Sequence, residues 1–133
     1  MIVAVADTHS FIWYLDADRR LSERAKQIID DATQAGDDIG VSVITLVETV
    51  YLVEKGRVPR QTLARMIAEI RSPQSVFVEL PLGIETIQAL QRISRADVPD
   101  MPDRIIAATA LHLQVPVISR DAKIQAANLH TIW

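Results

Sequence analysis

The chain has 133 residues, of which 49% are hydrophobic and 23% are charged, so we expect one compact domain over residues 1–133 and exclude collagen-like and disordered proteins. It contains no Cys, which excludes disulfides, thiol nucleophiles and thiolate zinc sites and favours an intracellular protein. The formal net charge of −3 argues against the binding of nucleic acid through a broad basic face.

The N-terminal half predicts two strands that are each followed by a helix. Residues 2–6 form a short apolar run rich in β-branched residues, as in a strand buried on both faces. Because this run lacks the basic segment of a signal peptide, and no apolar run reaches the ~18 residues that span a bilayer, we expect a cytoplasmic protein without a membrane segment. The further predicted elements are a helix from Asp7 or Thr8, a helix from Ser22 to Gly36, a strand over 39–43 and a helix from Thr45 to Lys55.

The C-terminal half continues the alternation of helices and strands. Pro59 occupies a position that is favoured in the first turn of a helix, and this helix is expected to end near Ser72. The remaining predicted elements are a strand over 75–80, a helix over 84–93, a loop over 97–101, a helix over 102–113, a strand over 115–119, a short helix and a last strand near 131–133. Parallel strands need helical crossovers, so the predicted fold class is an α/β three-layer sandwich with a mainly parallel central sheet flanked by helices.

Five acidic residues lie where such a fold would bind a ligand. Asp7 and Asp121 each follow an apolar strand, and ligands of open α/β sheets bind at the carboxyl ends of the strands. Glu48 is flanked on its helix by apolar residues with no basic partner in range, so its buried charge would need a partner from elsewhere or a cation. Asp100 and Asp103 lie three residues apart at the start of a helix, where they could point to the same place.

Each of these acids also has a structural interpretation. The four aspartates could cap helix N-termini or bind first-turn amides, and Thr45 with Glu48 fits the capping-box pattern Thr-x-x-Glu. Clustered carboxylates, however, repel one another and need a cation to remain ionised together. Without Cys, and without His at metal-ligand spacing, oxygen ligands favour Mg²⁺ or Mn²⁺ over Zn²⁺. If four carboxylates bind metal ions, fourteen basic side chains face thirteen acidic ones, and a polyanionic substrate is not excluded.

A metal site of this kind predicts hydrolysis of a phosphodiester. A carboxylate-bound ion can activate water as the nucleophile and neutralise charge on the phosphate. The sequence has no Ser-His-Asp arrangement, Gly-rich phosphate loop or dinucleotide motif that would indicate a competing chemistry. Arg104 and Arg120 adjoin candidate acids and are the candidates for phosphate contact, although both could equally form ion pairs. His9 is close enough to Asp7 in the sequence to approach the site.

Aromatic residues are concentrated in two short predicted helices. Their helical spacing without interleaved basic residues favours the core or an interface over base stacking. They exceed what these helices would bury in so small a domain, so we expect at least one of them to contact a second copy or a partner protein. The residues are Phe11, Trp13, Tyr14 and Tyr51.

Five segments together resemble the VapC-like toxin ribonucleases of the PIN-domain family, which belong to toxin-antitoxin modules. They are VADTHSFIWYL, SVITLVETVYLVEKGRV, PDMPDRIIAATAL, VPVISRD and the closing TIW. The resemblance covers essentially the whole chain. Its most specific parts are Asp7, the segment DRIIAATA from Asp103 and the strand that ends in Ser-Arg-Asp at Asp121.

The resemblance implies an acidic pocket in which Asp7, Glu48 and Asp103 are central and Asp121 is the fourth acid. Asp100 matches an additional aspartate of some relatives, but Met101 and Pro102 invert the order that those relatives have, which leaves its role open. Ser119 stands where Thr is usual, and its hydroxyl could still orient Asp121. The resemblance further implies Mg²⁺ or Mn²⁺, endoribonuclease activity on an RNA substrate, a homodimer and a cognate antitoxin that inhibits the enzyme.

The sequence therefore leads to the hypothesis of a Mg²⁺-dependent endoribonuclease that acts as a toxin. Asp7 and Asp103 are predicted as direct ligands, Glu48 as a ligand or a water-positioning group, and Asp121 as a ligand or its support. One alternative is a catalytically silent PIN-like interaction module. Another is a receiver-like domain that accepts a phosphoryl group, although such a domain needs an acidic pair after the first strand, where Asp7 is single.

Overall fold

The computed structural model describes residues 1–127 and 129–133, in which helices and strands alternate. Among these residues no helix has both the length and the apolar character needed to cross a membrane. In chain order the elements are β1 (Ile2–Ala6), α1 (Thr8–Leu15), α2 (Glu23–Ala35), β2 (Asp38–Ser42), α3 (Val43–Glu54), α4 (Thr62–Arg71), β3 (Phe77–Leu80), α5 (Ile84–Leu90), α6 (Met101–Leu113), β4 (Val117–Ile118), α7 (Ala122–Ala126) and β5 (Thr131–Ile132).

The strands form one sheet in the order β3-β2-β1-β4-β5. Every pairing between neighbouring strands in the described residues is parallel, which confirms the prediction of a mainly parallel sheet. The first strand lies at the centre, between β2 and β4, so the carboxyl ends of β1 and β4 are side by side. The backbone N–H of Asp7 donates to the carbonyl oxygen of Ile118 over 3.1 Å, and this hydrogen bond holds the two carboxyl ends together.

Two hydrophobic cores lie on opposite faces of the sheet, because successive side chains of a strand point to opposite sides. Ala4 and Ala6 of β1 belong to the first core, and Val5 between them belongs to the second. Helices α1, α2 and α4 cover the first face, and helices α5, α6 and α7 cover the second. This arrangement confirms the three-layer sandwich.

The aromatic residues are more deeply buried than we expected. Phe11 is fully buried and packs against Phe77, and Trp13 is 5% exposed. Tyr14 is half-buried and donates a hydrogen bond to Asp30 over 2.8 Å. Tyr51 remains on the surface with 58% exposure. One chain therefore covers most of the aromatic area that we expected at an interface, and Tyr51 is the member of this set that it leaves exposed.

Helix α3 begins earlier than the sequence predicted. The Thr-x-x-Glu pattern placed its start at Thr45, but the helix begins at Val43, and the side chain of Ser42 accepts a hydrogen bond from the N–H of Ile44 over 3.3 Å. Ser42 is also the last residue of β2, opposite Leu80 of β3, so the strand passes directly into the helix. Thr45 is consequently inside α3 and fully buried, and the capping-box interpretation was wrong.

The predicted position of Pro59 was also wrong. Helix α4 begins at Thr62, and Pro59 lies in the preceding turn, in which its carbonyl accepts a hydrogen bond from the N–H of Thr62 over 3.1 Å. Proline is equally favoured in turns because its fixed φ suits them, and the sequence does not distinguish the two uses. The other predicted strands and helices are present with bounds that differ by a few residues.

Candidate functional site

A cavity of about 390 Å³ lies at the carboxyl edge of the central strands. All five predicted acids line it, together with one of the two predicted arginines. Its lining residues are Asp7, Glu48, Asp100, Asp103 and Asp121, with His9, Trp13, Arg20 and Arg120. The structure thus brings together side chains that are up to 114 positions apart in the chain.

Asp7 is both a helix cap and a wall of the cavity. It is 7% exposed, and its Oδ1 accepts a hydrogen bond from the N–H of Ser10 over 2.9 Å at the start of α1. The hydroxyl of Ser10 donates to the carbonyl oxygen of Ile118 over 3.0 Å and ties α1 to β4. In the described part of the chain this cap uses one carboxylate oxygen, so the capping interpretation and the site interpretation of Asp7 hold together.

Glu48 receives its partner from the first helix. The hydroxyl of Thr8 donates to Glu48 Oε1 over 2.5 Å and lies 3.2 Å from the hydroxyl of Thr45. Thr8 and Thr45 are both buried. Because a hydroxyl group carries no charge, this contact orients the Glu48 carboxylate without neutralising its charge. Thr8 was not among the predicted site residues. Its position between Asp7 and His9 is the signal that could have pointed to it.

Asp103 is the acid whose pKa is raised by the charges of the other four. Its N–H donates to the carboxylate of Asp100 over 3.2 Å, and Asp100 caps α6. The pKa of the Asp103 carboxyl is raised to about 8, first by burial and then by the charges of Asp100, Asp121, Glu48 and Asp7. The repulsion between clustered carboxylates that the sequence analysis anticipated is therefore present in the fold.

Asp121 begins the last helix. Its Oδ1 accepts hydrogen bonds from the N–H groups of Lys123 and Ile124 over 2.9 Å and 3.1 Å. The N–H of Asp121 donates to the hydroxyl of Ser119 over 3.0 Å. Ser119 is thus placed to orient Asp121 as the sequence suggested, and it does so through the backbone.

The two predicted arginines have different surroundings. The guanidinium of Arg120 lies 4.6 Å from the ring centroid of Trp13 at the cavity. Arg104 instead donates to the carbonyl oxygens of Ile93 and Leu90 over 2.9 Å and 3.2 Å, which holds the end of α5 against α6. Arg20, which the sequence analysis did not select, lines the cavity because the turn after α1 folds back toward Trp13.

The carboxylates at the cavity are of the type that binds a hard divalent cation, but their side chains are not placed to bind one together. Carboxylates without thiolates are the ligands that Mg²⁺ and Mn²⁺ prefer, and the raised pKa of Asp103 is the effect that a bound cation would reverse. Within residues 1–127 and 129–133, however, no three acidic or imidazole side chains lie close enough to ligate one ion as they stand. Chelation would therefore require some of these side chains to change rotamer.

Several solved structures share this fold. Chains from a VapBC2 complex of Rickettsia felis bound to a promoter DNA fragment, from DNA-bound VapBC of Salmonella typhimurium and from a FitAcB structure of Neisseria gonorrhoeae align with TM-scores of 0.70, 0.68 and 0.64. Their sequence identities are 12%, 18% and 20%. The alignments cover 98%, 98% and 97% of this chain and 97%, 97% and 96% of theirs.

The family assignment comes from the sequence itself. No curated protein matches the chain. The family model of the PIN domain matches residues 4–128, a span that begins in β1 and includes all five acids at the cavity. On this match, together with the shared fold, the chain belongs to the PIN domain family.

Proposed function

We propose that residues 1–133 form the nuclease domain of a toxin from a toxin-antitoxin module, and that it cleaves RNA as a Mg²⁺- or Mn²⁺-dependent endoribonuclease. The observation that carries the proposal is the convergence of five carboxylates on one cavity. Burial there, together with the charges of the other four acids, raises the pKa of Asp103 to about 8. Membership in the PIN domain family and the likeness to chains of toxin-antitoxin complexes support it.

In this proposal Asp7 and Asp103 would hold the cation directly. Glu48 would be a ligand or would position water, Asp121 would be a ligand or support one, and Asp100 could add a further ligand. The bound ion would supply an activated water and neutralise charge on the phosphate. The residues of the chain would orient the site, since Thr8 fixes the carboxylate of Glu48 and the amide of Ser10 fixes that of Asp7.

The partners in this proposal are an RNA substrate, a cognate antitoxin and a second copy of the chain. The chains with which this fold aligns come from structures described as VapBC and FitAcB. Helix α3 also presents an apolar stripe of Val47, Val50 and Tyr51, which are 44%, 38% and 58% exposed and would suit a homodimer interface. We place the protein in the cytoplasm, where its proposed substrate is found.

The test is incubation of the purified protein with total RNA, with and without Mg²⁺. We expect cleavage that needs the ion and falls about a hundredfold or more in Asp7→Asn, Glu48→Gln and Asp103→Asn. Asn caps a helix about as well as Asp does, so Asp7→Asn should keep the fold. Asp31→Asn, at an exposed position of α2 outside the cavity, is the matched control.

Cleavage that is independent of the ion, or an Asp7→Asn variant that cleaves like the Asp31→Asn control, would contradict the proposal. Absence of cleavage in the unaltered protein would favour a silent interaction module. For the unaltered protein and for each variant, the circular dichroism spectrum and the melting temperature show whether the protein is folded.

A further inference from the structure

Two arginine side chains lie against one indole ring at the acidic cavity. The guanidinium carbon of Arg120 is 4.6 Å from the ring centroid of Trp13, and that of Arg20 is 5.0 Å from it. Both distances are within the range of about 6 Å in which a cation is attracted to an aromatic ring. All three side chains line the cavity that contains the five carboxylates. The positive charges of Arg20 and Arg120 therefore lie beside the five acids, against the ring of Trp13.

The indole is a rigid support for these arginines. Trp13 is 5% exposed, and its ring contacts Trp133 edge-on with centroids 5.9 Å apart. The ring of His9 also lies near it, with centroids 5.6 Å apart. An arginine that rests on a fixed ring has already lost part of its rotamer freedom, so it loses less when it binds a ligand.

The two arginines differ in how much of their charge is already paired. Arg20 donates to Asp18 from Nε and Nη2 over 3.1 Å and 2.8 Å. In the described part of the chain, the guanidinium of Arg120 forms neither a hydrogen bond nor an ion pair, although it is near enough to Asp18 to help lower the pKa of that carboxyl. The Asp18 carboxylate is therefore paired with Arg20, and within the described residues the positive charge without a bonded partner is that of Arg120.

We propose that Arg120, held on Trp13 and supported by Arg20, is a clamp for the backbone phosphate of single-stranded RNA. This inference rests on the proposed nuclease function. An RNA strand that approaches five carboxylates is repelled, and a cation beside them offsets that repulsion where the strand must lie. The planar guanidinium matches two phosphate oxygens. With 5% of its surface exposed, Trp13 offers too little ring for a base to stack on, so the clamp binds phosphate.

The first test measures RNA affinity as a function of salt concentration. In an Asp7→Asn background that prevents cleavage, the binding of a fluorescently labelled short oligouridylate is followed by anisotropy in the presence of Mg²⁺. We expect Arg120→Gln to weaken binding about tenfold at low salt and to reduce the slope of log affinity against log salt by roughly 0.7, the value for one phosphate contact on a single strand. Arg71→Gln, at an exposed position where α4 ends before the opposite edge of the sheet, should change neither quantity.

A second test examines Trp13 as a positioning residue. In the otherwise unaltered enzyme, Trp13→Leu should raise KM for the oligonucleotide more than it lowers kcat, and Trp13→Phe should restore part of the loss because it keeps an aromatic face.

If Trp13→Leu fails to fold, the fluorescence of Trp13 itself shows whether RNA binds beside this ring. The chain has two Trp, so Trp133→Phe leaves Trp13 as the only indole. Oligouridylate should then change its emission, and Arg120→Gln should abolish that change.

Two negative results have separate meanings. If the unaltered protein cleaves RNA and Arg120→Gln matches Arg71→Gln in affinity and salt slope, the clamp is refuted and the nuclease stands. If the unaltered protein neither binds nor cleaves RNA, the nuclease proposal fails, and the clamp fails with it.

Discussion

Asp103 is the residue whose protonation depends most strongly on folding. Burial comes first among the causes, and four neighbouring carboxylates add to it, so the folded protein binds a proton at this position far more tightly than the unfolded chain does. The ordinary pKa of an aspartate carboxyl is 3.8, and in the folded protein that of Asp103 is about 8. Over that interval the native state carries more protons than the unfolded state, and the contribution of Asp103 to stability falls as the pH rises.

We therefore predict that the metal-free protein becomes less stable between about pH 4 and about pH 8 as a result of this group. Asp103→Asn should remove that contribution and give a flatter dependence, with a gain in stability over the unaltered protein that grows with pH and levels off above about pH 8. The measurement is the urea midpoint at several pH values in the presence of a chelator. Equal pH dependence in both proteins would show that burial and the neighbouring charges do not raise the pKa of Asp103.

Arg104 shows how one residue can connect two elements. Its guanidinium contacts two carbonyl oxygens near the end of α5 while its backbone lies in the first turns of α6. Leu90 is the last residue of α5 and Ile93 follows it, and carbonyl oxygens at a helix C-terminus lack the full set of intrahelical donors. The Leu90 carbonyl also accepts from the N–H of Ile93 over 3.1 Å, so Arg104 adds a second donor there. Arg104 therefore fixes the angle at which α6 brings Asp103 to the cavity.

We predict that Arg104→Gln destabilises the protein by about 1–3 kcal/mol, because it removes a charged donor from partly buried acceptors. The salt dependence of RNA binding should not change, because Arg104 is not among the residues that line the cavity. Urea unfolding measures the first effect and anisotropy the second. A reduced salt slope with unchanged stability would return Arg104 to the role of phosphate contact.

At the level of helices and strands, local patterns predicted most of the fold. The apolar runs of β1 and β2 and the caps of α1 and α2 each depend on neighbours in the chain. The first strand and the cap at Ser22 were found where the sequence indicated, Asp7 was one of the two predicted caps of α1, and β2 lies one residue earlier than predicted. The start of α3 was not predicted correctly, because Ser42 and Thr45 are both acceptable caps and the choice depends on where β2 stops pairing with β3.

The candidate site was predicted in composition and missed in its supporting contacts. Strand-end aspartates have a local signature, whereas the contact between Thr8 and Glu48 joins residues 40 positions apart and that between Arg120 and Trp13 joins residues even further apart. Such contacts depend on the strand order, with β1 between β2 and β4, which hydrophobic periodicity does not encode. The carbonyl partners of Arg104 could not be predicted for the same reason, since they are determined by the packing of α5 on α6.

At the scale of the molecule, the proposed ion binding by the carboxylate cluster would be coupled to folding. An ion that binds only the folded state stabilises it by mass action, by about 2.7 kcal/mol at a concentration of roughly 100 Kd. We predict that Mg²⁺ or Mn²⁺ raises the melting temperature of the protein and has far less effect on Asp7→Asn/Asp103→Asn. Differential scanning calorimetry with and without the ion makes the comparison. Equal gains in both proteins would place the ion elsewhere.

The exposed stripe on α3 concerns assembly. Val47, Val50 and Tyr51 are too exposed to contribute much to the core, and an apolar stripe with an aromatic residue is typical of the centre of an interface. We predict that the protein is a dimer, that Tyr51→Asp shifts it to monomer and that Tyr51→Phe does not. Light scattering over a range of concentrations measures the mass. A monomer at all concentrations would refute the dimer, and a dimer unaffected by Tyr51→Asp would place its interface on another surface.

The central position of β1 has a consequence for synthesis on the ribosome. Asp7 and Ser10 leave the exit tunnel long before Ile118, to which both hydrogen-bond, and for Ser10 the separation is 108 positions. Asp121, which closes the cavity, emerges later still. A nascent chain therefore cannot complete its acidic cavity until translation has passed Asp121. In the proposed toxin, this order of events would keep the enzyme inert beside the messenger and ribosome that produce it.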